Sequence, residues 1–311
     1  MKFNHKSVLF DETIEGLNIR EGKVYIDGTI GGAGHSSEIL RRLNGTGLLI
    51  GIDQDDNALN KSREVLSNVG GNFKLFKSNY VDFDNVLDSL NIDKVDGILL
   101  DLGVSSHQFD EGERGFSYNY DARLDMRMDT SKDFTAWDIV NGYSKEDLIR
   151  ILRDYSEEKF AVRIATKIVE NRQVKNIDTT FELVDIIKEA LPAAAKRKKG
   201  HPAKKTFQAL RIETNNELGV LRDSLGRMID RLNPKGRIAI ISFHSLEDRI
   251  VKDTFKYYFK DCICPDGSII CTCDKKREIN IITRKPITAT DEELKENNRA
   301  HSAKLRIAEK L

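Results

Sequence analysis

A cluster of glycines between two apolar segments constrains the fold of this chain more than any other feature of the sequence. The first apolar segment ends at residues 25–27, and the turn that follows, residues 28–34, contains four glycines. Residues 35–43 have helical spacing, and residues 48–53 form a second apolar segment that ends on Asp53. This order predicts a right-handed βαβ unit, whose glycine turn and second strand end meet at the carboxyl edge of a parallel sheet.

That edge of a parallel sheet is where nucleotide-like ligands bind, so the glycine turn is a candidate adenosine pocket. Asp53 stands where an acidic residue accepts hydrogen bonds from ribose hydroxyls. The turn departs from the dinucleotide-binding pattern, because Ser37 occupies the position of the third glycine. An ordinary tight turn between strand and helix is the alternative, and the identity of a ligand must come from the rest of the chain.

Length and charge allow one large domain or two modest ones and exclude a protein that is basic throughout. The chain has 311 residues, with 50 Lys and Arg against 50 Asp and Glu, so a nucleic-acid partner must be bound by a local patch. Neither a membrane-spanning apolar run nor a signal-peptide core is found, which predicts a cytoplasmic protein without a membrane partner. All four cysteines lie between residues 262 and 273, unlike a disulfide framework spread over a secreted fold.

Two further predicted strands bring polar residues to the same edge of the sheet. The third strand, residues 73–76, is followed by Tyr80, which can lie against an adenine ring or simply cap the core. The fourth strand, residues 95–101, ends on Asp101, and the segment after it, through Gln108, adds hydroxyl, imidazole and amide groups. Such residues also favour turns for local hydrogen-bonding reasons, so a plain loop is the alternative to a ligand site.

Helical spacing without strand-like alternation predicts an all-helical insert at residues 107–207, within a discontinuous α/β domain of residues 1–106 and 208–311. The insert ends in six Lys and Arg among residues 196–205, which we call the basic run. A run of like charge is commonly a solvated loop. The alternative is a clamp on phosphates, since phosphate contacts release counterions and give affinity that is largely independent of sequence.

The chain then returns to the sheet through a predicted helix over residues 207–232, a turn over residues 233–236 and a fifth strand over residues 237–242. His244 follows that strand and therefore also reaches the functional edge. It lacks the Gly-x-Ser-x-Gly turn of a hydrolase, so a hydrogen-bonding or structural role is favoured over nucleophilic catalysis. Two final strands are predicted further on, at residues 279–283 and 304–308.

Two closely spaced cysteine pairs flank a turn-forming Pro-Asp-Gly sequence near the end of the chain. They are Cys262 and Cys264 before the turn, and Cys271 and Cys273 after it. Four thiolates in this arrangement can bind zinc tetrahedrally. The spacing is Cys-x-Cys rather than the commoner Cys-x-x-Cys, so free reduced thiols on a hairpin are the alternative, to be decided by metal analysis.

Six motifs follow one another along the chain in a recognisable order. They are Asp27-Gly28-Thr29-x-Gly31-x-x-Gly34-His35-Ser36, Asp101-Leu102-Gly103-Val104-Ser105-Ser106-x-Gln108, Arg114-Gly115-Phe116-Ser117, Leu124-Asp125-Met126-Arg127-Met128, His201-Pro202-Ala203-x-x-x-Phe207-Gln208-Ala209-Leu210-Arg211-Ile212 and Ser242-Phe243-His244-Ser245-Leu246-Glu247-Asp248-Arg249. Together they resemble the small-subunit (16S) ribosomal RNA cytosine-N4 methyltransferases, the MraW family, over His5 to Glu309. The resemblance implies a Rossmann-like, S-adenosylmethionine-dependent methyltransferase sheet with an inserted helical substrate-recognition domain. The implied reaction is methyl transfer from S-adenosylmethionine to the exocyclic N4 amine of a cytidine in the decoding region.

The resemblance assigns cofactor contacts by position, and they fall on residues of the predicted sheet edge. They are Ala33, Gly34, His35, Asp53, Tyr80, Asp101 and Gln108. Because the resemblance also makes the insert a substrate-recognition element, it favours the phosphate clamp over a solvated loop. The candidate substrate contacts are Lys198, Lys199, His201, Lys204, Lys205 and His244. The cysteine pairs gain no support from the resemblance.

Methyl transfer from a sulfonium needs geometry rather than a metal, so a zinc ion is not expected to be catalytic. The cytosine amine is a poor nucleophile, and Asp101 with the backbone carbonyls of residues 102–104 is placed to accept its hydrogen bonds and align it. Many amino-methyltransferases have Asp/Asn-Pro-Pro-Tyr here. This chain has Asp-Leu-Gly-Val, so the aromatic ring that stacks on the base must come from elsewhere, with Phe109 and Phe243 as candidates. The base must leave its stack to reach the pocket.

Two other classes of function stay open on the sequence alone. A nicotinamide oxidoreductase also uses a glycine turn and a strand-end acid, although the third glycine is missing and no partner for hydride transfer stands out; cofactor titration separates the two. A non-catalytic RNA-binding assembly factor would explain the basic run without turnover, which incorporation of labelled methyl decides. The expected partner is small-subunit ribosomal RNA in an assembled or nearly assembled subunit. The sequence does not decide between such a subunit and naked RNA, and it does not give the oligomeric state.

Overall fold

A single sheet forms the centre of the α/β part of the chain. The computed structural model describes residues 7–103, 112–197, 200–265, 268 and 270–311, and seven strands are found within these ranges. The strands are β1 (Val24–Asp27), β2 (Leu48–Asp53), β3 (Phe73–Lys77), β4 (Val95–Asp101), β5 (Leu232–Ser242), β6 (Ile279–Ile281) and β7 (Lys304–Lys310). Their order across the sheet is β3-β2-β1-β4-β5-β7-β6. The strands β1 to β5 are parallel, and β7 is antiparallel to both of its neighbours.

The α-helices alternate with the parallel strands and then form a block of their own. In chain order they are α1 (Phe10–Leu17), α2 (Gly34–Arg42), α3 (Asp56–Val69), α4 (Phe83–Ser89), α5 (Ala136–Gly142), α6 (Lys145–Asp154), α7 (Ala161–Arg172), α8 (Thr180–Ala190), α9 (Ala193–Lys196), α10 (Lys204–Asn215), α11 (Glu217–Asp230), α12 (Ser245–Phe259) and α13 (Asp291–Glu296). Within the described ranges, no helix combines the length and apolar character needed to cross a membrane.

Both faces of the sheet are buried, which explains why its strands read as continuous apolar runs. In β4, Ile98 and Leu100 pack into one hydrophobic core, whereas Leu99 between them packs into the other. The same alternation places Ile240 and Ile241 of β5 on opposite faces. Parallel sheets covered on both sides have this composition. The predicted α/β fold with a Rossmann-like sheet is confirmed, and the carboxyl ends of β1, β2, β4 and β5 all lie at one edge.

The chain divides into two units, Met1–Gly103 with Leu218–Leu311 and Val104–Glu217. The second unit is helical over most of its described length and has its own hydrophobic core, to which Leu148, Ile164 and Leu183 contribute from three different helices. Its helices begin where the sequence supplies capping residues. Thr135 and Thr179 each form a capping box with the acid three positions on, which satisfies amide groups that the first turn of a helix leaves unpaired.

The prediction of one helix over residues 207–232 is wrong. The structure has two helices there, α10 and α11, separated by Asn216, whose φ of 49° is left-handed. Asn adopts this conformation at a lower cost than most residues, so α10 ends without a glycine. The second unit runs to Glu217 and therefore includes the whole of α10.

The predicted turn over residues 233–236 lies inside the span of β5 instead of before it. Val95 pairs with Leu232 and Gly97 with Arg237, so residues 233–236 have no partner in β4, and Lys235 has a φ of 64°. Pro234 and Gly236 are tolerated here because this bulge has no regular ladder of hydrogen bonds to β4. The turn-forming residues therefore bend the strand without ending it.

Candidate active site

Asp53 holds the glycine turn through one backbone amide and accepts a second hydrogen bond from an amide just after β2. Its Oδ2 accepts a hydrogen bond from the Gly31 N–H at 2.9 Å, and its Oδ1 accepts one from the Asp55 N–H at 3.0 Å. A carboxylate has about four lone-pair directions, so these two bonds leave acceptor capacity for the hydroxyls of a ribose. The sequence placed this acid correctly at the end of β2 but did not reveal that it also organises the turn.

Asp27 ties the end of β1 to the first turn of α2. Its Oδ2 accepts a hydrogen bond from Ser36 Oγ at 2.7 Å, and its Oδ1 accepts one from the Thr29 N–H at 3.2 Å. The backbone passes closely here, since a Cβ on Gly28 would lie 3.2 Å from the Cβ of Tyr80 and 2.6 Å from Leu100 Cδ2. Tyr80 therefore packs directly on the glycine turn, which is the location predicted for a side chain beside the adenine.

The start of α2 presents backbone amides at the end of the glycine turn. Ala33 precedes the helix with a left-handed φ of 61°, and the first amides of any helix lack partners within it. Gly34 leaves room for the Ser7 side chain, since a Cβ at residue 34 would lie 1.9 Å from Ser7 Oγ. The helix end therefore offers N–H groups and the positive end of a helix dipole to an anionic group.

The imidazole of His35 is buried and neutral. Its Nε2 lies 3.2 Å from the carbonyl oxygen of Val8, an acceptor, so this nitrogen bears the hydrogen and Nδ1 has the free lone pair. Burial lowers the pKa of His35 to about 4, since the charged ring would lose its hydration. Phe10 stacks on the ring at 5.7 Å between centroids. The Nδ1 atom lies 3.9 Å from Asp101 Oδ2.

Among the acids at this edge, the carboxyl group of Asp101 has the fewest hydrogen bonds to described residues. Its backbone N–H donates to Thr29 Oγ1 at 2.6 Å, but its Oδ1 is buried without a hydrogen-bond partner among the described residues. The side chain as a whole is 29% exposed, so its other oxygen is open to a ligand. Burial, with smaller contributions from the charges of Asp27 and Glu247, raises the pKa of Asp101 to about 8.

The carboxyl groups of this edge disfavour one another's ionisation. Burial raises the pKa of Asp27 to about 6, against the opposing hydrogen bonds from Ser36 and Thr29, and the charge of Asp53 raises it further. Burial also raises the pKa of Asp53. A cationic ligand at this edge would favour the ionised form of every one of these groups. The site is therefore suited electrostatically to a ligand that has a positive charge.

His244 caps the helix that follows β5. Its Nδ1 accepts a hydrogen bond from the Glu247 N–H at 3.4 Å, while Glu247 Oε2 accepts from the amides of Phe243 at 2.8 Å and His244 at 3.3 Å. This capping box places the buried Glu247 where its charge acts on Asp101. Of the two candidate stacking rings, Phe243 lies beside the end of β4, because a Cβ on Gly103 would be 3.6 Å from Phe243 Cδ2.

The basic run lies in the second unit, and its described residues differ in their surroundings. His201 stacks on Tyr118 with 4.2 Å between the ring centroids, and Lys205 Nζ donates to the carbonyl oxygen of Glu157 at 2.8 Å. Lys204 is exposed, and among the described residues no hydrogen bond or ion pair of its ammonium group is found. Several predicted contacts lie outside the described residues, namely Val104, Gln108, Phe109, Lys198 and Lys199.

Sequence reasoning missed three residues that shape the site. Thr29 accepts the hydrogen bond from the Asp101 amide, Ser36 donates to Asp27, and Glu247 acts on Asp101 by its charge. Glu247 could have been found from its position three residues after His244, which is the spacing of a capping box. The bond made by Thr29 joins residues 72 positions apart, and no local signal announces it.

Comparison with known proteins identifies close relatives of the whole chain. The MraW methylase family model matches residues 2–311. A protein of Agathobacter rectalis named ribosomal RNA small subunit methyltransferase H 2 is 57% identical over 311 residues, covering 100% of this chain and 99% of that one. Proteins named ribosomal RNA small subunit methyltransferase H are 54% identical in Lachnospira eligens, covering 100% of this chain and 99% of that one, and 53% identical in Clostridioides difficile, covering 100% of both.

Proposed function

This chain belongs to the MraW methylase family of S-adenosylmethionine-dependent methyltransferases, and from that membership we propose that it methylates the exocyclic N4 amine of a cytidine in the decoding region of small-subunit ribosomal RNA. The name of its relatives supports the small-subunit ribosomal RNA as the substrate. The choice of an exocyclic amine is supported by the site itself. Ribosomal RNA as substrate also makes the cytoplasm the proposed place of action.

One observation carries the assignment of an amine as the methyl acceptor. Asp101 has a buried carboxyl oxygen without a hydrogen-bond partner among the described residues, at the edge of the sheet where the glycine turn lies. Buried acceptors normally have donors, so a carboxyl group left with such an oxygen is suited to a donor that a substrate brings to its exposed side. The N4 amine of cytosine has two N–H groups. In its ionised form Asp101 accepts one of them, aligns the amine, and holds the proton that the amine must release.

The residues of the glycine turn fit S-adenosylmethionine, which supplies a methyl group made electrophilic by the positive sulfonium. Asp53 keeps acceptor capacity for the ribose hydroxyls, and Tyr80 packs on the turn where an adenine would lie. The amides of Gly34 and His35 suit the carboxylate of the methionine portion. The acids of the edge favour a cationic ligand, which is the electrostatic character that this cofactor requires.

Binding of RNA is assigned to the basic run of the helical second unit. Its Lys and Arg side chains suit phosphate groups, whose recognition positions an RNA without reading its bases. The target cytidine must then be splayed out of its stack, as base-modifying enzymes require. An assembled or nearly assembled subunit is the proposed form of the substrate.

Transfer of labelled methyl groups to small ribosomal subunits that lack the modification tests the proposal. We expect one N4-methylated cytidine in the decoding region, identified by nuclease digestion and mass spectrometry, with faster methylation of assembled subunits than of naked RNA. Binding of subunits without methyl transfer would show a non-catalytic assembly factor instead. A methyl group on another atom or in another region of the RNA would overturn the assignment of the target.

The charge of Glu247 is expected to set the pH dependence of the enzyme through Asp101. Because Asp101 must be ionised to accept the amine hydrogen, kcat/KM for S-adenosylmethionine should rise with pH and level off above about 8, the pKa to which Asp101 is raised in the cofactor-free protein. Glu247→Gln removes a nearby negative charge and should lower that midpoint by about half a pH unit. Glutamine keeps an oxygen that accepts the capping hydrogen bonds. The pH profile of initial rates measures the shift.

The control for that shift is Glu64→Gln, which removes an exposed carboxylate paired with Lys61 on α3. Its pH profile should match the profile of the unmodified enzyme. A midpoint that stays in place or rises in Glu247→Gln would contradict the coupling between Glu247 and Asp101.

Lys204 is expected to contribute to RNA binding through a phosphate contact. Lys204→Gln should weaken binding of small subunits about equally for every sequence variant of the target and reduce the slope of log affinity against log salt by about one. Filter binding at several salt concentrations measures both quantities. The matched control is Lys167→Gln, since Lys167 belongs to the same unit but pairs with Glu170 on α7. Equal losses in the two variants would show a general charge effect and contradict a clamp at the basic run.

A further inference from the structure

Four cysteine sulfur atoms lie together between the end of α12 and the start of β6. The Sγ atom of Cys271 is 3.5 Å from that of Cys262, 4.0 Å from that of Cys264 and 3.6 Å from that of Cys273. The Sγ atoms of Cys262 and Cys273 are 3.7 Å apart, and all four lie within 4.8 Å of one another. We propose that these four thiolates bind one zinc ion, in a structural site that the methyl transfer does not use.

The distances between the sulfurs are those expected when thiolates share a metal ion. Zinc forms bonds of about 2.3 Å to thiolate sulfur, so the edges of a tetrahedral site measure about 3.8 Å. A disulfide would instead bring two sulfurs to about 2.05 Å, and all four cysteines are free. The cluster therefore has the size of a tetrahedral site with four sulfur ligands, which soft, closed-shell zinc prefers.

Backbone amides point at three of the four sulfurs. The N–H of Ile263 donates to Cys273 Sγ, that of Cys264 to Cys262 Sγ, and that of Thr272 to Cys264 Sγ, each at 3.4 Å. A neutral thiol is a weak acceptor, whereas a metal-bound thiolate has a negative charge that such donors stabilise. The backbone is therefore arranged for the ionised, metal-binding form of these side chains.

The segment that contains the cysteines has no apolar core of its own. Among its described residues, from Asp261 to Lys276, no apolar residue is buried, and the large side chains of Ile263 and Ile270 are exposed. A segment this short cannot bury enough surface to hold one conformation by hydrophobic packing. In small metal-binding elements the ligand bonds provide that stabilisation. Zinc would account for a defined arrangement that packing does not explain.

The topology separates the cysteines from the reacting groups. Since β7 is antiparallel to both β5 and β6, β6 starts at the amino edge of the parallel strands, opposite the edge where β4 ends in Asp101. Glu278 fastens the segment just before β6, because its N–H donates to the Tyr258 carbonyl at 2.9 Å and its carboxylate accepts from Lys275 at 2.7 Å and Lys310 at 3.3 Å. Four protein ligands leave no open position for substrate, which is the pattern of a structural zinc site.

Metal analysis of the full-length protein, purified without chelator and without a metal-binding tag, tests the proposal directly. We expect about one zinc per chain, bound with a dissociation constant on the order of nanomolar or tighter. Removal of the zinc should speed hydrogen exchange of the amides between residues 261 and 277. Exchange in β4 and the affinity for S-adenosylmethionine should stay unchanged, so this result is independent of the proposed function.

The double variant C271S/C273S should lose the zinc while the sheet stays folded, because serine oxygen is a poor ligand for this ion and the segment lies outside the core. The matched control is Thr272→Val, which keeps the amide that donates to Cys264 and should keep the zinc. Less than about a tenth of an equivalent of zinc in the unmodified protein would overturn the proposal. It would equally be overturned by iron in place of zinc, by disulfides in thiol titration, or by zinc retained in the double variant.

Discussion

Replacing Asp101 by asparagine is expected to reduce methyl transfer by at least about a hundredfold while the protein stays folded. Asparagine has nearly the same shape and keeps one acceptor oxygen, but its amide has no negative charge and cannot take up a proton from the amine. The loss should appear in kcat more than in KM, because the interaction matters most as the amine develops positive charge. Incorporation of labelled methyl at saturating cofactor and subunit concentrations measures it.

The same substitution is expected to make the cofactor-free protein more stable at pH 8. Burial raises the pKa of Asp101 to about 8, whereas an unfolded chain ionises it near its usual value of about 3.9. Between these values the folded protein holds a proton that the unfolded chain has lost, so stability falls as pH rises through this window. The Asp101→Asn variant would lose this contribution and keep the one from Asp27, and we expect a gain of about 1–3 kcal/mol at pH 8 in urea denaturation.

The control for both effects is Asp93→Asn, which removes an exposed carboxylate near Arg231 and should change activity and stability little. Near-normal turnover of Asp101→Asn would remove Asp101 from the catalytic role. An unchanged dependence of stability on pH would contradict the raised pKa, whatever the effect on turnover. Together the two measurements separate a role in catalysis from a role in the fold.

Replacing Asp53 by alanine is expected to weaken S-adenosylmethionine binding by about a hundredfold and to destabilise the protein by about 2–4 kcal/mol. The affinity falls because the acceptor proposed for the ribose hydroxyls is lost. The stability falls because the amides of Gly31 and Asp55 lose their carboxylate partner. Isothermal titration calorimetry measures the affinity, and urea denaturation without cofactor measures the stability.

Asp55→Ala provides the matched control, because Asp55 lies two residues on and its carboxylate caps α3 at the Asn57 amide. Loss of such a cap should cost about 1 kcal/mol of stability and leave the cofactor affinity unchanged. Unchanged affinity in Asp53→Ala would contradict the ribose assignment. Equal losses of affinity in the two variants would show that the turn, and not a contact from Asp53, controls binding.

The position of the candidate site could be predicted from the sequence because the signals for the strand ends are local. Apolar runs identified the buried strands, and the acids at residues 53 and 101 stand where those runs end. Parallel strands bring their carboxyl ends together in any fold of this type, so adjacency of the acids followed from topology alone. The cofactor contacts that the family resemblance assigned remain proposals, although Tyr80 and the start of α2 do lie at the glycine turn.

The predictions of secondary structure differ from the fold where the local sequence is compatible with more than one backbone conformation. Asn216 has a helix-compatible neighbourhood but adopts a left-handed conformation that ends α10. Residues 233–236 favour a turn and do leave the pairing with β4, but β5 resumes that pairing at Arg237 instead of starting there. At residues 233–236 a distant part of the chain matters, because β4 pairs with β5 on both sides of them.

The sequence by itself determined the order of the elements, the class of fold and the edge where the acids gather, because apolar periodicity and turn chemistry act over a few residues. Only the tertiary structure decided what those acids do. The Asp101 oxygen without a partner among the described residues, the hydrogen bond of Asp53 to the Gly31 amide and the neutral ring of His35 depend on burial and on residues far along the chain. The cysteine pairs are a further example. Their spacing in the sequence did not decide between a zinc site and free thiols, whereas the short distances between their sulfur atoms favour a zinc site.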